Sequence, residues 1–266
     1  MQLSANVNKL LTNVKNMLTA ANEPEFAPLL TEIGDVQARL TEPLRVAVIG
    51  VMKAGKSTLM NALLKEKILY TNTLEATYTV SWFKYGDTPG LTVVFSDGSA
   101  RDAPFSDLEK WTVRPMGEEK HRLDDVKHII IRYPNEILKT MELIDTPGLE
   151  STTDKASKNT RDFLGQRLSE EADKITSENA SQAEAIIYAF SRAVNGKDAE
   201  VLSAFKGEND NSSPINAIGL FTKADIYWNC AAAPEFDPLE TVSEACGGYR
   251  SKLRDKLYTI LPVVAK

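Results

Sequence analysis

Two amphipathic stripes open the chain. Residues 3–21 carry leucine and valine at helical spacing, and residues 29–40 carry a second stripe of the same kind. A break at Glu23-Pro24 separates the two stripes. The pattern predicts a helical hairpin over residues 1–42, which either packs against the main domain or joins a stalk-like bundle.

From residue 43 onward, short apolar runs rich in β-branched residues alternate with helical stretches. This alternation predicts an α/β domain over residues 43–266, with a mainly parallel β-sheet covered by helices on both faces. Asp97-Gly98 lies between two β-like stretches and predicts a hairpin turn there. The predicted strands are 45–50, 79–85, 91–95, 126–133, 141–145, 184–190, 216–221 and 261–265, and the predicted helices are 57–68, 154–180, 197–206 and 238–259.

Composition narrows the classes of function. The formal net charge of −6 argues against a broad nucleic-acid-binding face. Only two cysteines are present, which favours a reducing, cytoplasmic setting over a disulfide framework. No run approaches the ~18 apolar residues that cross a bilayer. His121 and His128 have no metal-ligand spacing and are expected to be surface residues.

The stretch GVMKAGKST follows a predicted strand and opens a predicted helix. It matches the phosphate-binding pattern G-x-x-x-x-G-K-[ST], whose backbone N–H groups close around phosphate oxygens. In this pattern Lys56 contacts the β- and γ-phosphates, and the Ser57 hydroxyl is a ligand for Mg²⁺. The predicted phosphate-binding residues are Gly50, Met52, Lys53, Ala54, Gly55, Lys56, Ser57 and Thr58.

Two further motifs close predicted strands. Asp145-Thr146-Pro147-Gly148 ends one of them, so Asp145 is predicted to hold Mg²⁺ through water and the Gly148 N–H to meet the γ-phosphate. Ordinary turn chemistry would also explain this sequence.

The stretch Thr222-Lys223-Ala224-Asp225 closes another predicted strand and selects the base. A fixed carboxylate at Asp225 accepts both N1–H and the exocyclic amine of guanine, whereas adenine N1 is itself an acceptor. Thr222, Lys223 and Asp225 are therefore predicted to bind GTP or GDP in preference to adenine nucleotides. The backbone N–H of Ala265, after the last strand, is a weaker candidate for guanine O6.

These segments, GVMKAGKSTLMNALL, LEATYTVSWFKYG, IRYPNEILKTMELIDTPGLEST and LFTKAD, occur in the order found in the dynamin superfamily. Residues 44–266 resemble bacterial dynamin-like proteins. The resemblance implies a P-loop GTPase fold, GTP hydrolysis, homodimers formed through the GTPase domains, and membrane remodelling through regions that lie outside this chain. It implies a cytoplasmic protein, peripheral at a membrane in its full-length form. It also implies that a switch threonine closes on Mg²⁺ and the γ-phosphate; the spacing to Tyr85-Gly86 indicates Thr77, with Thr79 as the near alternative.

The chain departs from the family pattern at three positions. Leu149 stands where Ras-like GTPases have a glutamine that orients water, and Met52 stands where dynamins often have a polar residue. Lys53 replaces a serine that helps dynamins hold a monovalent cation. We hypothesise that the Lys53 ammonium replaces that cation. Together with Lys56 of the phosphate-binding pattern and the switch residue Thr77, Lys53 is a predicted catalytic residue.

Three functions remain in competition at this point. The first is a Mg²⁺-dependent GTPase that pairs through its GTPase domains. The second is a nucleotide-gated interaction module with very slow or no hydrolysis, which Met52 and Leu149 favour. The third, an ATPase of the EH-domain kind, is disfavoured by Asp225.

Overall fold

The chain forms two compact units, residues 1–43 and residues 44–266. In the computed structural model, the described residues are 2–51, 53–69, 79–113, 123–147, 183–194, 198–199, 202, 216–229 and 237–264.

The first unit is a helical hairpin, which confirms the predicted N-terminal helices. Helix α1 spans Gln2–Ala21 and helix α2 spans Ala27–Arg39, with one 3₁₀ turn at Pro24–Phe26 between them. Asn22 adopts a left-handed backbone, with φ of 54°, just after α1, a conformation that commonly ends helices. The Gln37 side-chain amide donates to Asn8 Oδ1 at 2.8 Å and Thr12 Oγ1 at 2.9 Å. Gly34, earlier on α2, lies beside the side chain of Lys15, which is later on α1, so the two helices run antiparallel.

The second unit contains a nine-stranded sheet among its described residues, in the spatial order β4-β3-β5-β2-β6-β1-β7-β8-β9. The run β6-β1-β7-β8-β9 is parallel throughout, while β3 pairs antiparallel with β4 and β5, and β2 pairs antiparallel with β6. The predicted mainly parallel α/β sheet is therefore confirmed, as a mixed sheet. Its strands are β1 Leu44–Gly50, β2 Ser81–Tyr85, β3 Gly90–Phe95, β4 Ala100–Ala103, β5 Val126–Tyr133, β6 Met141–Asp145, β7 Ala185–Phe190, β8 Ala217–Thr222 and β9 Thr259–Val263.

Helices pack on both faces of this sheet. Strand β1 is a continuous apolar run because it is buried on both sides: Val46 and Val48 belong to one apolar layer, and Ala47 and Ile49 belong to the other. The described helices of the second unit are α3 Lys56–Leu64, α4 Leu108–Thr112, α5 Ile226–Asn229 and α6 Pro238–Leu253. Helix α3 joins the first layer and α6 the second.

Some predicted boundaries were wrong. Helix α6 ends at Leu253 rather than residue 259, and β9 begins at Thr259 rather than residue 261. Helix α3 ends at Leu64, four residues early, because Lys65 adopts a left-handed backbone with φ of 53°. The predicted turn at Asp97-Gly98 is present between β3 and β4, with a Gly98 φ of 85°. The predicted helix at 154–180 lies outside the described residues, as does most of the one at 197–206.

Candidate functional site

The loop from β1 to α3 begins at a position that only glycine can occupy. Gly50 has a φ of 151° and pairs with Ala189 of the neighbouring parallel strand β7. A Cβ added at Gly50 would lie 2.0 Å from the Ala189 backbone oxygen. The missing side chain therefore allows the β1 and β7 backbones to approach this closely where the loop begins.

The same loop ends at the N-terminus of α3. Gly55 adopts a left-handed backbone, with φ of 81°, and Lys56 is the first helical residue. The first N–H groups of a helix have no intrahelical acceptor, and the helix dipole adds positive potential there. Ser57 and Thr58, both half-buried, lie in this first turn. The predicted loop thus presents backbone donors and a hydroxyl, which is the chemistry of an anion site.

Lys56 is the buried cation of the loop. It is 7% exposed, and its Nζ donates to the backbone oxygens of Gly50 and Val51, both at 3.3 Å. Burial lowers the pKa of Lys56, while the negative charge of Asp145 raises it. Lys56 therefore holds the start of the loop by two hydrogen bonds and interacts electrostatically with Asp145 at the end of β6.

Asp145 and Thr146 lie where β6 ends beside β1. Asp145 is fully buried, and Val48 is its register partner on β1. The Thr146 hydroxyl donates to the Val48 backbone oxygen at 3.0 Å, which fixes the chain as it leaves β6. Gly148, the predicted γ-phosphate contact, lies outside the described residues.

Thr222, at the end of β8, is bonded to the phosphate loop. Its hydroxyl shares its one proton between the Ala54 backbone oxygen at 2.6 Å and the Phe190 backbone oxygen at 3.1 Å. Thr222 and Ala54 are both buried. One side chain therefore joins the loop, β7 and β8.

Lys223 makes a second bond to the same loop. Its Nζ donates to the Lys53 backbone oxygen at 2.8 Å. Lys53 and Lys223 are both non-glycine residues with positive φ, 60° and 57°. Such backbones cost about 1–2 kcal/mol each and tend to be kept at functional sites. This hydrogen bond therefore joins two residues in unfavourable conformations and holds the β1–α3 loop beside the end of β8.

Asp225 lies half-buried in the turn that follows. The Trp228 N–H donates to the Asp225 backbone oxygen at 3.1 Å, and the Ala224 N–H reaches the Val263 oxygen of β9 at 3.4 Å. The Asp225 carboxylate, which is predicted to bind the base, therefore lies on a turn. Backbone hydrogen bonds within the turn and to β9 fix its position. Ala265, the weaker base candidate, lies outside the described residues.

The second lysine of the loop is exposed. The Lys53 backbone oxygen accepts a hydrogen bond from Lys223, while Lys53 itself is exposed to solvent. Met52 and Thr77 lie outside the described residues. Thr79, the alternative switch threonine, is 1% exposed just before β2.

The structure thus brings Gly50, Ala54, Lys56, Thr222 and Lys223 together at the carboxyl ends of β1, β7 and β8. The links through Thr222 and Lys223 were not foreseen, because the sequence assigned both residues to the nucleotide. The only hint was their position at the end of an apolar strand. The role of Thr146 was missed for the same reason.

The residues also suit Mg²⁺, since a serine hydroxyl and a carboxylate are hard oxygen ligands. Ser57 is the second residue of α3, and Asp145 is buried at the end of β6, close enough for its charge to raise the pKa of Lys56. Within the described part of the chain, no cluster of three or more His, Cys, Asp or Glu side chains forms another candidate metal site.

Comparison with known proteins identifies the family of the chain. Residues 46–224 match the family model described as the dynamin family. The chain is 30% identical over 207 residues to the isoniazid-induced protein IniC of Mycobacterium tuberculosis, covering 75% of this chain and 39% of that protein. It is 34% identical over 117 residues to a bacterial dynamin-like protein of Nostoc punctiforme, covering 41% of this chain and 17% of that protein.

A solved structure, described as an oligomerised bacterial dynamin pair that senses and tethers membranes at long range, shares the fold. Its TM-score is 0.54 at 20% identity, over 95% of this chain and 36% of that one. The chain spans less than half the length of these relatives. The family model covers more than half of the chain. The chain belongs to the dynamin family.

Proposed function

We propose that this chain binds GTP with Mg²⁺ and hydrolyses it to GDP and phosphate. The observation that carries the proposal is the pair of bonds from Thr222 to Ala54 and from Lys223 to Lys53. Through them, the turn that carries Asp225 and the loop that surrounds Lys56 form one bonded unit. Base recognition and phosphate recognition then depend on each other.

Asp225 gives the preference for guanine. Its carboxylate accepts from both N1–H and the exocyclic amine of guanine. With adenine it would face an acceptor, and a buried polar group without a partner costs about 1–3 kcal/mol. That penalty corresponds to roughly a 5- to 150-fold preference for GTP over ATP. Gly148 and Ala265 complete the proposed contacts to phosphate and base.

The proposed metal ligands are Ser57, Asp145 and Thr77, with Asp145 acting through water. Mg²⁺ would neutralise charge on the β- and γ-phosphates. Lys56 places its ammonium on the same phosphates, and Lys53 supplies further positive charge at the loop in place of a monovalent cation. The exposed Lys53 side chain has room to approach a phosphate without breaking the bond its backbone makes to Lys223.

Residues 43–266 are proposed to be the GTPase domain and residues 1–42 a separate helical element. Pairing of two GTPase domains across the nucleotide would stimulate turnover, and the full-length protein would act at a membrane from the cytoplasm. Support for these points comes from family membership and from the bacterial dynamin pair described as tethering membranes. No described helix is long and apolar enough to span a bilayer.

Phosphate release tests the proposal. Release from GTP and from ATP is measured over a series of protein concentrations, with Lys56→Ala as the inactive control. GTP-specific release whose specific activity rises with concentration supports a GTPase that pairs. Tight GTP binding with no release would instead support the nucleotide-gated interaction module.

The Lys53 role has its own test. Lys53→Ala is compared with the parent chain in Na⁺ and in K⁺. We expect the variant to lose turnover and to regain part of it in K⁺, because a bound cation would then replace the missing ammonium. Unchanged turnover and unchanged K⁺ dependence would rule the role out.

A further inference from the structure

The chain reverses direction where α3 ends. Lys65, with its left-handed φ of 53°, donates its N–H to the Ala62 oxygen at 3.2 Å, and the Glu66 N–H donates to the Asn61 oxygen at 3.1 Å. These two bonds form the Schellman motif, which commonly closes a helix. The motif turns the chain back toward the helix that it has just left.

The Asn61 side chain holds the returning chain. Its Oδ1 accepts from the Ile68 N–H at 3.0 Å and from the Leu69 N–H at 2.8 Å, and its Nδ2 donates to the Leu69 oxygen at 2.8 Å. Leu69 is 4% exposed and Asn61 is half-buried, so water competes poorly for these groups. One side chain therefore fixes both backbone polar groups of Leu69.

Asn61 lies on the face of α3 that carries Ser57, a proposed Mg²⁺ ligand. Residues four positions apart on a helix share one face, and these two are separated by about 6 Å along the axis. Because Asn61 precedes the end of α3, its bonds bring Leu69 back toward Ser57. The returning chain thus lies on the side of the helix where the metal is proposed to bind.

Thr77, the other proposed hydroxyl ligand, follows Leu69 in the chain and lies outside the described residues. The described chain resumes at Thr79, which is 1% exposed, and the Ile129 N–H donates to the Val80 oxygen at 2.9 Å. The described residues on each side of Thr77 are therefore buried and held by hydrogen bonds, at Leu69 by the Asn61 side chain.

We propose that Asn61 is a positioning residue for the Mg²⁺ side of the nucleotide site. The inference rests on the proposed function, in which Ser57 and Thr77 bind Mg²⁺. By holding Leu69 on the Ser57 face of α3, Asn61 fixes the point from which the chain continues to Thr77. Without this hold, the backbone at Leu69 gains conformations that must be lost again when the metal binds. Asn61 acts through Leu69 and is not itself a ligand.

Asn135 offers a matched control, because it braces the same helix at Leu64 instead of holding Leu69. Its Nδ2 donates to the Leu64 oxygen at 2.6 Å, and its Oδ1 accepts from the Ile137 N–H at 3.1 Å. Asn135 is half-buried, as Asn61 is. At either position, aspartate keeps the accepting oxygen and removes the amide group that donates to a backbone oxygen.

The experiment compares Asn61→Asp and Asn135→Asp with the parent chain. Titration calorimetry with GTPγS and with GDP, each in Mg²⁺ and in EDTA, gives the gain in affinity that Mg²⁺ supplies. We expect Asn61→Asp to lose about 5- to 30-fold of the gain for GTPγS, which is the effect of freeing about one backbone residue. The loss for GDP should be smaller, since the switch threonine is expected at the γ-phosphate. Asn135→Asp should keep the parent's gain for both nucleotides.

A second variant covers the case in which Asn61→Asp folds poorly. Asn61→Ala favours the helix and removes all three bonds of the side chain, so it should lose more of the Mg²⁺-dependent gain than Asn61→Asp. Urea unfolding and circular dichroism of each variant separate a loss of fold from a loss of that gain.

Three outcomes would overturn the inference. A parent chain without any Mg²⁺-dependent gain for GTPγS would overturn the proposed function and the role of Asn61 with it. A parent chain that shows the gain, with Asn61 variants that keep it, would overturn the role of Asn61 alone. Equal losses in Asn61→Asp and Asn135→Asp would make Asn61 a brace of the helix and not a positioning residue.

Discussion

The bond between Thr222 and the phosphate loop gives a prediction about both stability and binding. Thr222→Val keeps the shape of the side chain and removes the hydroxyl, which donates to the Ala54 and Phe190 oxygens at 2.6 and 3.1 Å. Threonine is 4% exposed here and Ala54 is fully buried, so water cannot easily replace the donor. A buried carbonyl left without a partner costs about 1–3 kcal/mol of unfolding free energy.

The same change should weaken nucleotide binding without touching the nucleotide. If about 1–2 kcal/mol of the lost free energy had been keeping the loop in its binding conformation, GDP affinity should drop by about 5- to 30-fold. Urea unfolding gives the first quantity, and titration with a fluorescent GDP analogue gives the second. Thr222→Ser, which keeps the hydroxyl, is the control and should lose much less of either.

Equal stability and equal GDP affinity in Thr222→Val and the parent chain would refute this account of the loop. A loss of stability alone, with affinity intact, would show that the bond supports the fold but does not organise the phosphate site.

Three other changes follow from the geometry. Gly50→Ala should cost at least about 3 kcal/mol of unfolding free energy, because its Cβ would lie 2.0 Å from the Ala189 oxygen. Gly98→Ala, at a φ of 85° and with no atom within 4 Å of the new Cβ, should cost only about 1–2 kcal/mol by urea unfolding. Lys56→Met should abolish GTP-dependent thermal stabilisation. Because burial lowers the pKa of Lys56 below 10.5, the parent's unfolding free energy should rise as pH approaches 10.5, and the variant should lack that rise. The His128 ring stacks on the Trp82 ring with 5.6 Å between centroids, and burial and two nearby lysines lower its pKa from 6.5 to about 4. As the pH falls between these values, the unfolded state binds the proton before the folded state does. The unfolding free energy of the parent chain should therefore fall by about 1–2 kcal/mol. His128→Gln should remove that acid sensitivity, and an unchanged slope would assign it to other groups.

Much of the fold could be predicted because strong local patterns coincide with it. Strands β5 and β6 were placed to the residue, since each is a β-branched run bounded by turn residues. Strand β4 was missed because its sequence, ARDA, is polar and short, and it is a strand only through pairing with β3. The predicted end of α6 was too late because Leu257 continues the apolar spacing past Leu253.

The candidate site, like the fold, could be predicted only in part. The order of its motifs indicated which residues lie at the strand ends, and Gly50, Asp145 and Thr222 do end β1, β6 and β8. The bonds within the site could not be predicted. The Lys223–Lys53 bond joins two residues with left-handed backbones, a conformation that no propensity of lysine favours. The roles of Met52, Thr77, Gly148 and Ala265 remain predictions, since these residues lie outside the described part of the chain.

The central claim is that Asp225 reads guanine on a turn bonded to the phosphate loop. The most direct measurement is the affinity of the parent chain and of Asp225→Asn for GTP, ATP and XTP, in which an oxygen replaces the exocyclic amine of guanine. The account predicts that the parent prefers GTP. It also predicts that the asparagine variant shifts its preference towards XTP, because its amide can donate to that oxygen. A parent chain that binds ATP as well as GTP, or a variant whose preference is unchanged, would contradict the account.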